Sequence, residues 1–156
     1  MSETTPEFLS EPIPDFFLNL LVDTAISSGK GAVTVFVGGR AITGRPVTPA
    51  DFFRACYLPS PSDEDRSLDP LREIADKFDA DYKHIKELRD ADPDTLSDED
   101  KKLAAQPRSF LNLLDARYLM EGGVMAPTNG GVPMRIRYSA IDAWIPGEMS
   151  AGGPQE

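Results

Sequence analysis

Histidine and cysteine are almost missing from this 156-residue chain, which holds one of each, His84 and Cys56. A lone cysteine closes no internal disulfide, and the two together fall short of a zinc ligand set. His84 has Ala80, Lys83, Glu87 and Leu88 at helical spacing, so a metal or triad role would have to draw its partners from far away. Cys56 sits near the far end of a short helical segment, where the helix dipole raises a thiol pKa, so it reads as a small packing residue. Apolar runs of the ~20 residues needed to span a bilayer do not occur. The opening MSETTPEF has neither the basic nor the apolar region of a secretory signal, which predicts a cytoplasmic protein. Positive charge is scarce as well: 16 basic residues face 26 acidic ones, a formal charge of -10 at pH 7. Such a field repels phosphate backbones and anionic membranes, and it sets both aside as default partners.

What is present is one domain's worth of chain with 40% apolar residues, enough for one modest core. Its centre is Ala32 to Phe53, AVTVFVGGRAITGRPVTPADFF. Val33, Val35 and Val37 alternate with Thr34 and Phe36, and Ile42 and Val47 resume the pattern past Gly38-Gly39, which predicts a hairpin with a glycine turn. Gly44 marks a bend or bulge in the second strand. Thr48-Pro49-Ala50-Asp51 then reads as N-cap, N1 proline and N3 acid of a short helix running to Tyr57, with Phe52 and Phe53 returning to the core.

Residues 1–14 are polar, acidic and proline-bearing and read as a disordered arm. From 15 to 28, Phe16, Phe17, Leu20, Leu21, Thr24 and Ala25 recur at helical spacing opposite Asn19 and Asp23, predicting a helix laid across one open end of a small sheet. Between Pro59 and Pro107 the composition shifts to 15 acids against 8 bases. Asp69-Pro70 opens a helix whose stripe is Leu71, Ile74, Ala75, Phe78, Tyr82, Ile85 and Leu88, and Ser97 with Asp100 caps a second one ending near Ala105. The segment 59–107 is thus predicted to be a helical insertion, packed by its own stripe. Phe110 to Leu119 reads as a strand buried on both faces, with Leu111, Leu113 and Leu119 on one side and Phe110, Leu114 and Tyr118 on the other. A glycine-rich loop follows, then a strand at 134–138 with a basic outer row and another at 141–145, before a flexible tail at 148–156.

Functional motifs are weak. VGGR is better explained as a hairpin turn than as a phosphate loop, because no helix opens after it. The carboxylates at Asp63, Asp65 and Asp69, or at Asp94, Asp98 and Asp100, lack the glycine and terminal glutamate of a calcium loop and read as a solvated face. With no acid, base or nucleophile cluster, the expectation is a protein that is not an enzyme and uses no cofactor or metal. Arg40, Arg45, Arg135 and Arg137 form the candidate interaction patch, provided the two strand systems are neighbours. In so acidic a chain, that patch would receive the acidic insertion of this or another copy sooner than RNA.

Two resemblances bear on these pieces. GGRAITGRPVTPADFF, residues 38 to 53, resembles the first Sm-like signature, and MRIRYSAIDAWIPG, residues 134 to 147, is similar to the second. This implies an α+β fold in which residues 15–147 form one Sm-like domain: a helix and a small, strongly bent antiparallel sheet or barrel, interrupted by the charged helical insertion. The missing Asn after Phe52-Phe53 and the long acidic insertion depart from the RNA-binding members. In overall layout the chain resembles the gas-vesicle accessory protein U family of small bacterial proteins, through VTVFVGGRAITG, TPADFF, the acidic middle and IRYSAIDAW. That resemblance implies a non-enzymatic accessory role around gas vesicles, with self-association and contacts to gas-vesicle proteins. The alternative from another class is an Sm-like nucleic-acid-binding protein, which the acidic balance disfavours.

Overall fold

The computed structural model describes residues 16–57 and 69–149. The arm at 1–14, the first part of the insertion and the tail beyond 149 lie outside the described residues. The hairpin forms as the alternation dictates: β1 (Val33–Val37) and β2 (Arg40–Pro46) pair antiparallel, closing at Val37 opposite Arg40. Gly38 and Gly39 take φ of 57° and 78°, the left-handed pair that a two-residue hairpin turn requires and that side chains resist. The Gly38 amide donates to Asp142 Oδ2 at 3.0 Å, which ties the turn to the end of the chain.

β3 (Phe110–Leu119) pairs with β2 along one edge. Its other edge takes the two-residue β4 (Met125–Ala126) near its end and β5 (Val132–Arg137) near its start. The last strand, β6 (Ala143–Pro146), returns to the free side of β1. The order β4-β3-β2-β1-β6, with β5 beside β3, leaves β6 at one side and β4 and β5 at the other without pairing between them. The sheet is therefore antiparallel, as expected, but open; the strands do not close into a barrel.

A bulge resets the faces of β3. The register shifts between Leu113 and Ala116 against β5 and between Thr43 and Arg45 against β2, so one extra β3 residue is accommodated at Asp115, whose φ is 52°. Period-two counting across this point fails. Leu111, Leu113, Ala116 and Tyr118 share one face, and Tyr118 packs with the core instead of standing opposite it. Gly131 makes the bulge possible, since a Cβ there would lie 2.1 Å from the Asp115 carbonyl carbon.

α1 (Phe16–Ser28) covers this face with Leu18 and Val22 against Val33, Val35, Ile42, Leu111, Leu113 and Ile136. The buried side of α1 is Leu18, Val22 and Ala25, with Leu21 packed beside it; of the expected stripe only Ala25 and Leu21 turn inward, while Phe16, Phe17, Leu20 and Thr24 are exposed. Its first two turns, FFLNLLV, are apolar almost all round, so spacing alone cannot select the face that docks.

The other side of the sheet carries α2 (Pro49–Tyr57) and α3 (Asp69–Asp90). Thr48 caps α2 as expected, accepting from the Asp51 amide at 3.1 Å, and Phe52 is buried. α3 differs from the expectation of a self-packed insertion. Ala75 is 1% exposed, Phe78 stacks on Phe53 of α2 with ring centres 5.1 Å apart, and Arg54 reaches Asp76 at 3.2 Å. The middle of its stripe, at Ala75 and Phe78, is thus used against α2, while Ile74 stays exposed. α4 (Asp98–Ala104), capped by Ser97 through the Asp100 amide, folds back beside α3 and is held by Arg89, which donates to the carbonyls of Ala104 and Gln106 at 2.9 Å. The chain stays attached to the sheet past β6: Thr34 Oγ1 donates to the Gly147 carbonyl at 3.0 Å, and the Met149 amide donates to Thr43 Oγ1 at 3.3 Å.

Candidate functional site

The outer side of α1 carries three exposed large apolar side chains. Phe16, Phe17 and Leu20 are 69%, 67% and 53% exposed, and the two rings meet edge to face with centres 5.6 Å apart. Scattered exposed apolar residues need no explanation, but two phenylalanines and a leucine on adjoining turns form a patch. α1 is also electrically quiet. Its one ionisable side chain, Asp23, accepts from Arg108 Nη2 on the segment leading into β3, so this helix presents no unpaired charge.

That ion pair lies in a polar seam beneath α1. Burial pulls the Arg108 guanidinium down, but the Asp23 charge, its hydrogen bond and the neighbouring Tyr138 outweigh burial and hold it above its ordinary value. Burial is also the main reason that the Tyr138 and Tyr82 phenols sit above the usual tyrosine value, with Arg108 opposing it in both. Asn19 Oδ1 and Asn112 Oδ1 are buried without hydrogen-bond partners among the described residues, whereas Arg108 Nη1 and Tyr138 Oη are buried on two side chains that interact with each other. Neither Asp23 nor Arg108 stands out in the sequence reading. The signal available was a single acid in an otherwise apolar helix, which needs a cation once the helix docks.

The four arginines of the candidate patch do not share one surface. Arg40 pairs with Val37 at the turn, while Arg45 lies opposite Leu114, five residues along β2, a separation of roughly 16 Å at ~3.3 Å per residue. The pleat puts them on opposite faces. Arg135 and Arg137 stand on β5, across β3, opposite Asn112 and Phe110. Arg45 shares their face, because Leu114 opposite it lies on the same side of β3 as Asn112 and Phe110, whereas Arg40 stands on the other face. Arg135 is occupied: its guanidinium lies 3.9 Å from the Phe110 ring centre and 5.4 Å from that of Phe53, and burial lowers its pKa.

His84 is exposed on α3. Cys56 is exposed at the end of α2 and is not the packing residue expected of it; the part of it that is covered still raises the thiol above its ordinary value, which makes it a weaker nucleophile at neutral pH. No three His, Cys, Asp or Glu residues gather as a metal set among the described residues, and none of the described helices is long and apolar enough to cross a membrane.

The chain matches no curated protein and no solved structure. Residues 15–149 match a family model described as gas vesicle protein GvpU-like. The match takes in α1, the whole sheet and the helical segment between β2 and β3. With most of its length so covered, the chain belongs to the GvpU-like family of gas vesicle proteins.

Proposed function

We propose that this protein is a non-enzymatic accessory protein of gas vesicles, acting in the cytoplasm by associating with copies of itself and with other gas-vesicle proteins. The observation that carries self-association is the exposed Phe16, Phe17 and Leu20 surface on a helix whose only charge is neutralised by Arg108. In a chain of net charge -10, two copies meet with least like-charge repulsion where they present no free charge. α1 offers such a surface, and a two-fold axis would set it against itself. Two such patches would bury on the order of 700 Å² of apolar area, given the ~150–250 Å² that a buried aromatic contributes. This falls at or below the lower end of specific interfaces and suits weak, reversible clustering more than an obligate dimer.

Sedimentation velocity of the full chain tests the reading. Wild-type protein is expected to show concentration-dependent association at micromolar levels, and the combination Phe16→Ser, Phe17→Ser and Leu20→Ser to sediment as a monomer with an unchanged far-ultraviolet spectrum. Leu20→Ser alone, the mildest change, should weaken association part of the way. A wild-type protein that stays at 17.1 kDa across the range would overturn it.

A further inference from the structure

Asn-Gly is a strong hairpin signal, and this chain has it once, at Asn129-Gly130. The fold does not use it that way. The loop 127–131 leaves β4 and enters β5, but each of those strands pairs with β3 and not with the other. Asn129 and Gly130 are both exposed and lie in neither helix nor strand, and the Gly130 amide donates to no backbone carbonyl among the described residues. Gly130 takes a φ of 86°, and nothing stands within 4 Å of where its Cβ would be.

The other two asparagines of the chain are held. Asn19 lies within α1 and Asn112 within β3, the latter only 4% exposed, and each is followed by a leucine whose side chain crowds its own amide nitrogen. An asparagine loses its side-chain amide when the backbone nitrogen of the next residue reaches Cγ. This needs a peptide free to rotate, an uncrowded nitrogen and access for water. Of the three asparagines, Asn129 alone meets all of these conditions.

We propose that Asn129 is a site of self-modification, converting to aspartate and isoaspartate through an imide closed by the Gly130 nitrogen. That nitrogen bonds to Asn129 Cγ and gives up its proton, and the side-chain amino group takes the proton and leaves as ammonia. Water then opens the ring. Attack at Cγ returns an aspartate, whereas attack at the main-chain carbonyl carbon leaves an isoaspartate, whose backbone runs through Cγ and is longer by a methylene. Either product adds a negative charge.

The loop has no slack for the longer form. Two residues on, Gly131 sits so close to the β3 bulge that a Cβ there would lie 2.1 Å from the Asp115 carbonyl carbon. Asp115 is exposed, so the new carboxylate adds to a like charge at the same corner of the sheet. Isoaspartate at this position therefore displaces Gly131 and loosens the start of β5, where Val132 pairs with Ala116.

The test keeps the full chain in mildly alkaline heavy-oxygen water beside a synthetic peptide of residues 125–133, and follows both by mass spectrometry. The protease fragment that holds Asn129 is expected to exchange NH for a heavy oxygen at a rate within about tenfold of the free peptide, a barrier difference below ~1.4 kcal/mol. The product should accept a methyl group from a protein isoaspartate methyltransferase. Asn129→Gln, whose imide ring would be larger and slower to close, should stay unchanged. Conversion more than tenfold slower than in the peptide, or equally fast in Asn129→Gln, would overturn the site. The isoaspartate form, separated by chromatography, should melt several degrees below freshly purified Asn129→Asp, which carries the same charge on an ordinary backbone. Equal melting temperatures would overturn the link to the Asp115 bulge.

Discussion

Arg135 lies with its guanidinium carbon 3.9 Å from the centre of the Phe110 ring, on the diagonal between two strands whose paired residues are Asn112 with Arg135 and Phe110 with Arg137. Phe53 approaches the same guanidinium at 5.4 Å, and Phe78 stacks behind Phe53 with its plane tilted by 13°. This row runs from β3 through β5 and α2 to α3, so an apparently free basic residue joins the sheet to the helical segment.

Arg135→Ala should therefore destabilise the fold by about 1–3 kcal/mol, combining a cation–π loss of ~0.5–2 kcal/mol with the packing of the arginine stem. Arg137→Ala, exposed on the same strand, should stay within about 0.5 kcal/mol. A Phe78→Ala change should couple to Arg135→Ala in a double-mutant cycle, because both act through Phe53. Urea melts of the single and double variants measure this, and strict additivity would remove the row as a unit.

Gly131→Ala should be among the most damaging small substitutions in the chain. The new Cβ meets backbone atoms of Asp115 at 2.1–2.4 Å, contacts that no rotamer change relieves, and the strand must separate from the bulge. A loss of about 3 kcal/mol or more is expected, at or beyond the upper range of ordinary overpacking. Asp115→Gly should do the reverse, since it removes a left-handed residue worth roughly 1 kcal/mol of strain. Thermal midpoints of the two variants on either side of wild type would confirm the bulge.

Alkaline stability follows from Tyr138. Its phenol is raised above the ordinary value of about 10, chiefly by burial, so the folded state holds the proton more tightly than the unfolded chain. The associated stability is fully present below pH ~10 and is lost as pH rises through the folded-state value. Urea midpoints should fall above that pH, and Tyr138→Phe should fall less steeply. Tyr82 shares the trend and limits how flat the variant becomes. Superimposable pH profiles for wild type and variant would refute the assignment.

Association should grow with salt. The 15 acids and 8 bases between Pro59 and Pro107 concentrate negative charge that opposes any approach of copies through α1. Screening that shortens from about 8 Å at 0.15 M to about 3 Å at 1 M removes this repulsion and leaves the apolar contact. An attraction between an arginine row and the acidic segment would instead weaken with salt, but Arg40 and Arg45 occupy opposite ends of β2 and Arg135 is already held. Light scattering across sodium chloride concentrations at neutral pH separates the two, and assemblies that dissolve as salt rises would sink the repulsive picture.

The sequence by itself determined the local parts. The Val-x-Val-x-Val alternation with Gly38-Gly39 dictated the hairpin, Thr48-Pro49 and Ser97 dictated where helices start, and the stripe of α3 set its length, because each is a contest among neighbouring residues. Tertiary structure alone decided the faces. An apolar ring of residues on α1 could have docked on several sides, and it was burial of Leu18, Val22 and Ala25, together with the Asp23–Arg108 pair, that turned Phe16 and Phe17 to solvent. Likewise, the parity of β3 depends on Asp115 slipping out of register beneath Gly131, sixteen residues later in the chain, and no periodicity within the strand encodes that approach. The fate of Arg135 is of the same kind. Alternation marks it as an outward residue, but α2 and α3 are folded over that side of the sheet, so its surroundings are set by residues far away in sequence.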